Sequence, residues 1–209
     1  MIVIKEWIAS HRQLVKVGML LAVVFLLPLA IRTFVLQPCK TTVGAMEKTL
    51  RTGDYFLINK FIYGRTIPFT DIRLLPVRMP RRGDVVVFAF PGDTSKLFVS
   101  RIIGIPGDQV EVLDKKVKLN GAADKHSYEL HLEKDLIPAN QNPRDNLGPI
   151  TVPENAYFVM GDNRDRAYDS RFWGVLKSRH IMGLAFMTYW SWDKETRQIR
   201  RERIGASIN

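Results

Sequence analysis

The sequence predicts a mostly β protein: a coiled β-sheet or partial barrel behind one N-terminal transmembrane helix. Three observations predict it. The stretch Val17–Ile31, VGMLLAVVFLLPLAI, carries no charge. Beyond it, short runs rich in β-branched and aromatic residues recur, each bounded by Gly, Pro, Asn or Asp turn signals. The 209 residues are 46% hydrophobic and 25% charged, enough for one globular domain with a real core plus extras.

Taken in order, residues 1–13 are expected to be a cytoplasmic N-terminus and 14–36 a membrane anchor. With Lys16 and Arg32 snorkelling, the apolar run is long enough to span a bilayer, and Pro28 is tolerated in such a helix. Lys5, Arg12 and Lys16 precede the span, which puts the N-terminus inside and the rest of the chain outside the cytoplasmic membrane. A cleavable leader is the first alternative, but no small-x-small site follows Ile31, where Arg32 and Phe34 stand instead. A buried core helix is the second, but the flanks are charged and no face is polar.

Residues 37–192 read as the β-domain. Strands are expected at Tyr55–Ile62, Val85–Phe90, Leu97–Ile105, Val110–Leu113, Val117–Leu119, Thr151–Val152, Tyr157–Met160, Val175–Leu176 and Ile181–Trp190. A turn is expected at Asn120-Gly121. The polar, proline-bearing stretch 122–150 reads as a surface insertion. Arg73, Arg78, Arg81 and Arg82 form a basic loop, suited either to solvent or to anionic headgroups. The charged tail 193–209 is expected to fray.

The net charge of +10 suggests an acidic partner, nucleic acid or an anionic membrane. A domain outside the membrane does not meet the chromosome, so nucleic acid is set aside. The single cysteine, Cys39, excludes an internal disulfide framework. His126 and His131 stand in a polar segment without a ligand pattern, so neither a metal nor a cofactor is expected.

Residues 160–174, MGDNRDRAYDSRFWG, place three aspartates, three arginines, an asparagine and a serine between apolar runs. Such charge is either a catalytic centre or a polar scaffold. Together with the anchor, the β-domain and FVSRIIGIPGD at 98–108, this block resembles type I signal peptidase over about residues 14–190. The resemblance implies a membrane-anchored, outward-facing fold that cuts signal peptides with a Ser/Lys dyad. The family's P-S-G-S-M-x-P-T-L motif corresponds to Thr42-Val43-Gly44-Ala45-Met46-Glu47-Lys48-Thr49-Leu50.

The departures fall where the chemistry should be. Ala45 stands for the nucleophile, and a methyl group cannot attack a carbonyl. Ser100 stands for the general base, which in the family is a lysine whose pKa is lowered by apolar burial. Val43 replaces the oxyanion-hole hydroxyl, and Ala167 the hydroxyl that orients the lysine. Lys48 replaces proline. The scaffold partners remain: the resemblance pairs Arg101 with Asp162 and Asp169 with Arg171.

The resemblance further implies that an extended ligand lies as an added strand between Thr41–Met46 and Leu97–Ser100. Cys39, Val43, Met46, Leu50 and Val99 would line pockets for its side chains, or else pack as ordinary core. The reading is a membrane-anchored protein without the dyad. It would bind signal-peptide-like or other extended segments, preproteins or other membrane proteins, or serve as a subunit of a membrane assembly. The alternative is an active peptidase with a rewired nucleophile (Ser100, Cys39 or Ser170, with Lys96 as a remote base) or an inactivated variant.

Overall fold

Burial alternates along Asp54–Asn59, where Asp54, Phe56 and Ile58 face inward while Tyr55, Leu57 and Asn59 are half-buried. A strand sends successive side chains to opposite faces, so this period of two fixes which face meets the core. The computed structural model describes residues 12–42, 44–66, 73–124 and 128–208. Its elements are α1 (Arg12–Phe34), β1 (Leu36–Lys40), β2 (Asp54–Asn59), β3 (Arg65–Thr66), β4 (Arg73–Leu74), β5 (Val85–Phe90), β6 (Asp93–Gly104), β7 (Gln109–Leu113), β8 (Lys116–Leu119) and β9 (Ala122–Ala123). They continue with β10 (Leu147–Thr151), β11 (Ala156–Met160), α2 (Ser170–Trp173), β12 (Leu176–Lys177), β13 (Ile181–Asp193) and β14 (Gln198–Ile199).

The main sheet runs β1-β2-β13-β5-β6-β11-β12, with β14 added to β13, and is open rather than closed. Register shifts at Ile181/Gly183, Ala185/Met187 and Thr188/Trp190 let the long β13 coil between β2 and β5. Gly183 is required there, because a Cβ would collide with the Asn59 carbonyl. A smaller sheet, β10-β7-β8-β9, stands beside it. Its β7–β8 hairpin turns on Asp114 and Lys115, both at positive φ, as a two-residue hairpin requires. Asn120 and Gly121 repeat that conformation before β9. Three apolar clusters fill the interior, one of them joining Met46, Leu50, Phe56, Ile58, Val85, Val87, Ala185 and Ile208.

The structure corrects the sequence reading in several places. β2 stops at Asn59, whose side chain accepts from the Phe61 and Ile62 N–H groups and turns the chain. β6 begins earlier, at Asp93, and β1 arises where the anchor was expected to end. The stretch 122–150 is not wholly superficial: Arg144 and Asp145 are buried, and β10 pairs with β7. In the basic loop, Arg78 pairs with Asp84 and Arg82 with Asp108.

The tail does not fray. β14 pairs with β13, Ile208 enters the core, and Arg203 donates from Nε and Nη2 to the buried Asp54 carboxylate. Arg203 Nη2 also donates to the Thr49 carbonyl at 2.7 Å. A buried carboxylate demands such partners, and the basic tail supplies them.

As for the anchor, no helix among the described residues is long and apolar enough to cross a membrane. α1 spans 23 residues, Arg12–Phe34, with Pro28 inside it.

Arg203→Ala should lower stability by about 2–3 kcal/mol, because Asp54 stays buried after losing its main cation. Chemical denaturation of the variant in detergent checks this. A change within error would show the tail to be dispensable.

Candidate active-site cleft

Beyond β1 the chain stays tied to β2: Thr41 N–H donates to the Asp54 carbonyl at 2.8 Å and Gly53 N–H to the Thr41 carbonyl at 3.1 Å. It then folds into a short 3₁₀ turn, Gly44–Met46. This turn is clamped by the segment after β11. Asn163 N–H donates to the Ala45 carbonyl at 3.0 Å and Asn163 Nδ2 to the Gly44 carbonyl at 3.1 Å. Gly161 allows the approach, since a Cβ there would strike Ala167 and the Ala45 carbonyl.

The clamp is held by buried charge. Arg101 donates from Nε and Nη2 to the two Asp162 oxygens at 2.8 and 2.7 Å, and from Nη1 to the Gly83 carbonyl at 2.8 Å. Thr49 Oγ1 donates to Asp162 and accepts from Arg101 Nη2. The Arg101 guanidinium also lies 4.2 Å from the Tyr128 ring centroid. Asp169 takes two hydrogen bonds from the Arg171 side chain, accepts from Gly161 N–H and caps α2. Ser170 Oγ accepts from Val159 N–H, so it is part of this scaffold. Asp162, Asp169 and Arg171 are thus structural, whereas Arg166 is exposed.

A cavity of about 330 Å³ opens between the end of β1 and the second half of β6. Ala45, Ser100 and Ala167 all line it, as do Cys39 and Val99. Val43 lies outside the described residues. Of the two alternatives for Met46 and Leu50, cleft wall or core, the structure shows the core, where both are fully buried. Sequence reasoning missed Phe56, Val87, Arg166 and Tyr168 among the lining residues. Cys39 pairs with Phe56 and Val99 with Val87 in register, a relation that only the sheet order discloses.

Among the described residues, the cavity lining contains no histidine and no carboxylate. Lys96 is turned away: its side chain is 67% exposed and pairs with Asp93 at 3.1 Å. The Lys40 ammonium lies 4.9 Å from the Tyr55 ring centroid. Burial pushes the Cys39 thiol up, with Lys60 opposing only in part, which disfavours the thiolate a nucleophile needs. Among the described residues, no group of His, Cys, Asp or Glu is placed to hold a metal ion.

Both strand edges beside the cavity are open. β1 ends the sheet, and β6 has β11 as its second neighbour only over Arg101–Gly104, so its residues 97–100 pair with β5 alone. Fold and site together define a coiled β-domain with a largely apolar cleft beside its sheet edges. The chain belongs to the signal peptidase family: the model of "Signal peptidase, peptidase S26" matches residues 12–190. It is 34% identical to "Signal peptidase I" of Pseudomonas aeruginosa, over 90% of this chain and 76% of that protein. It is likewise 34% identical to "Probable signal peptidase I-2" of Synechocystis, over 84% and 72%. A crystal structure of a signal peptidase I from Enterococcus faecalis aligns at 30% identity with a TM-score of 0.41, covering 51% of this chain and 97% of that one.

The scaffold carboxylates set an acid limit. Burial raises Asp108, but Arg82, the Ile105 N–H and Asn120 outweigh it and hold the group below its usual 3.8. Asp84, Asp145 and Asp165 are likewise held low by their cations and backbone donors despite burial. Each depressed carboxylate contributes stability that is complete above about pH 5 and lost as pH falls through about 4 and below. Thermal melts should therefore be flat from pH 7 to 5 and drop steeply towards pH 3. A melting temperature that rises on acidification would contradict this.

Proposed function

We propose that this protein receives signal-peptide-like or other extended segments in the cleft at the outer membrane face without cutting them. The observation that carries the reading is the pairing of two open strand edges with a cavity that holds Ala45 and Ser100. An extended chain can add its backbone to such edges and bury alternate side chains in the cavity. Hydrolysis needs a nucleophile with a base in reach, and Ala45 and Ser100 supply neither. The ends of the cleft are nonetheless kept in register by the Arg101–Asp162 clamp.

Helix α1 fits the role of anchor. Val17, Met19, Leu20, Leu21, Val23, Val24, Phe25, Leu26, Leu27 and Leu29 are all exposed, with Phe25 at 71%. Consecutive residues point around the whole circumference of a helix, so this apolar surface has no wet face, and lipid suits it. The basic residues Lys5, Arg12 and Lys16 favour an inside N-terminus and an outside β-domain.

A second reading, working signal-peptide cleavage, is favoured by kinship: the relatives named above are called signal peptidases I. It requires a nucleophile other than residue 45. Ser100 and Cys39 are the candidates on the cavity wall.

Two experiments decide. Incubated with a preprotein, the chain should show no cleavage while a signal peptidase I control cuts. Val43→Ser, Ala45→Ser, Ser100→Lys and Ala167→Ser together should restore some, and Ala45→Ser alone should not, for want of a base. Cleavage by the unaltered chain that is abolished by changing Ser100 or Cys39 establishes the second reading. For topology, protease added outside intact spheroplasts should digest the β-domain. Its survival until lysis would reverse the orientation.

A further inference from the structure

Cys39 and Thr41 are two residues apart on an extended segment and so share one face, while Lys40 and Thr42 between and after them are exposed. Both Cys39 and Thr41 line the cavity. The Thr41 backbone is engaged on both sides, its N–H with the Asp54 carbonyl and its carbonyl with the Gly53 N–H. Its side chain is not: Thr41 is 4% exposed, and its Oγ1 is buried without a hydrogen-bond partner among the described residues. Buried hydroxyls are paired in the large majority of proteins, so one left unpaired on the wall of a ligand cleft has a partner still to come.

Among the described residues, none stands within hydrogen-bond distance of it. Cys39, Phe56, Val87 and Val99 are apolar, while Lys40, Thr42, Arg166 and Tyr168 line other parts of the cavity. Ser100 brings a second hydroxyl to the same space. The result is a largely apolar frame with a few hydrogen-bonding points, the pattern by which pockets fix the identity of a bound group. A site built to pair a polar atom rejects an analogue lacking it more strongly than a purely apolar pocket rejects a misfit.

We propose that Thr41 Oγ1 is a specificity-determining group. On this proposal the cleft prefers an extended segment carrying serine over one carrying alanine, at the position that enters beside Cys39 and Thr41. The inference rests on the peptide-binding reading above. Serine is the occupant because its hydroxyl both donates and accepts at a volume close to that of alanine, so it pairs Thr41 without crowding Cys39 and Val99.

The test is a serine scan. A fluorescently labelled, alanine-rich extended peptide is compared with variants carrying serine at each position in turn, by anisotropy against the full chain in detergent micelles. One position should bind about tenfold more tightly with serine than with alanine, a difference of about 1.4 kcal/mol. Thr41→Val, which keeps the branched shape and removes the hydroxyl, should erase that difference, and Thr41→Ser should keep it. Equal affinity for serine and alanine at every position overturns the proposal, as does a preference that survives in Thr41→Val. If Thr41→Val fails to fold, Thr41→Ala takes its place with the same expectation. Binding of no peptide at all overturns the cleft reading and this inference with it, whereas binding without a serine preference overturns this inference alone.

Discussion

The ion pair between Arg101 and Asp162 is the constraint on which the rest of the domain leans. Its side chains are 1% and 0% exposed, so neither charge has water to fall back on. Every remaining donor must then be met inside, and it is: Gly83 supplies a carbonyl, Thr49 a hydroxyl and Tyr128 a ring face. Three distant stretches, β6, the segment after β11 and the turn beyond Met46, are thereby fixed to one another. Cleft geometry follows from this pairing, because Ala45 rides on the turn and Ser100 precedes Arg101.

A second buried carboxylate extends the same logic to the other side of that turn. Asp54 accepts from Ser191 Oγ, the Arg51 N–H and Arg203, and Arg203 also reaches the Thr49 carbonyl. Thr49 is thus held by its hydroxyl from the Asp162 side and by its carbonyl from the Asp54 side. The C-terminal segment lies beyond the family match at 190, yet it closes on the segment that carries the cleft. Removing either anchor would loosen the turn from one side while leaving the other charge stranded.

Much of this was legible in the residues, and the failures have physical causes. Strands with apolar runs or alternation, such as Val85–Phe90 and Ala156–Met160, announced themselves because burial on one or both faces dictates side-chain type. The scaffold pairs, Arg101 with Asp162 and Asp169 with Arg171, were legible through the family resemblance, and the structure forms both. The tail misled because its charge reads as solvated, whereas the deciding fact was a buried Asp54 some 150 positions upstream, with |i−j| of 149 to Arg203. For Met46 and Leu50 the resemblance left cleft wall and core both open, and the structure places them in the core. Phe56 and Val87 were beyond reach, since only sheet order brings them to the cleft.

The pattern of what was kept and what was changed has an energetic reading. Deleting one member of a buried pair strands the other, at a cost of about 3–5 kcal/mol, a large fraction of a domain's total stability. Changing a group on the cleft wall strands nothing. Ser100 is 4% exposed beside Val87 and Val99, surroundings that oppose a charged amine. A lysine there would be held neutral, or held at a cost, and serine relieves that strain while keeping a hydroxyl. Alanine at 45 likewise removes a polar group without creating a cavity of consequence. Folding alone therefore holds Arg101, Asp162, Asp169 and Arg171 in place, while it constrains the residues at 45 and 100 on the cleft wall far less.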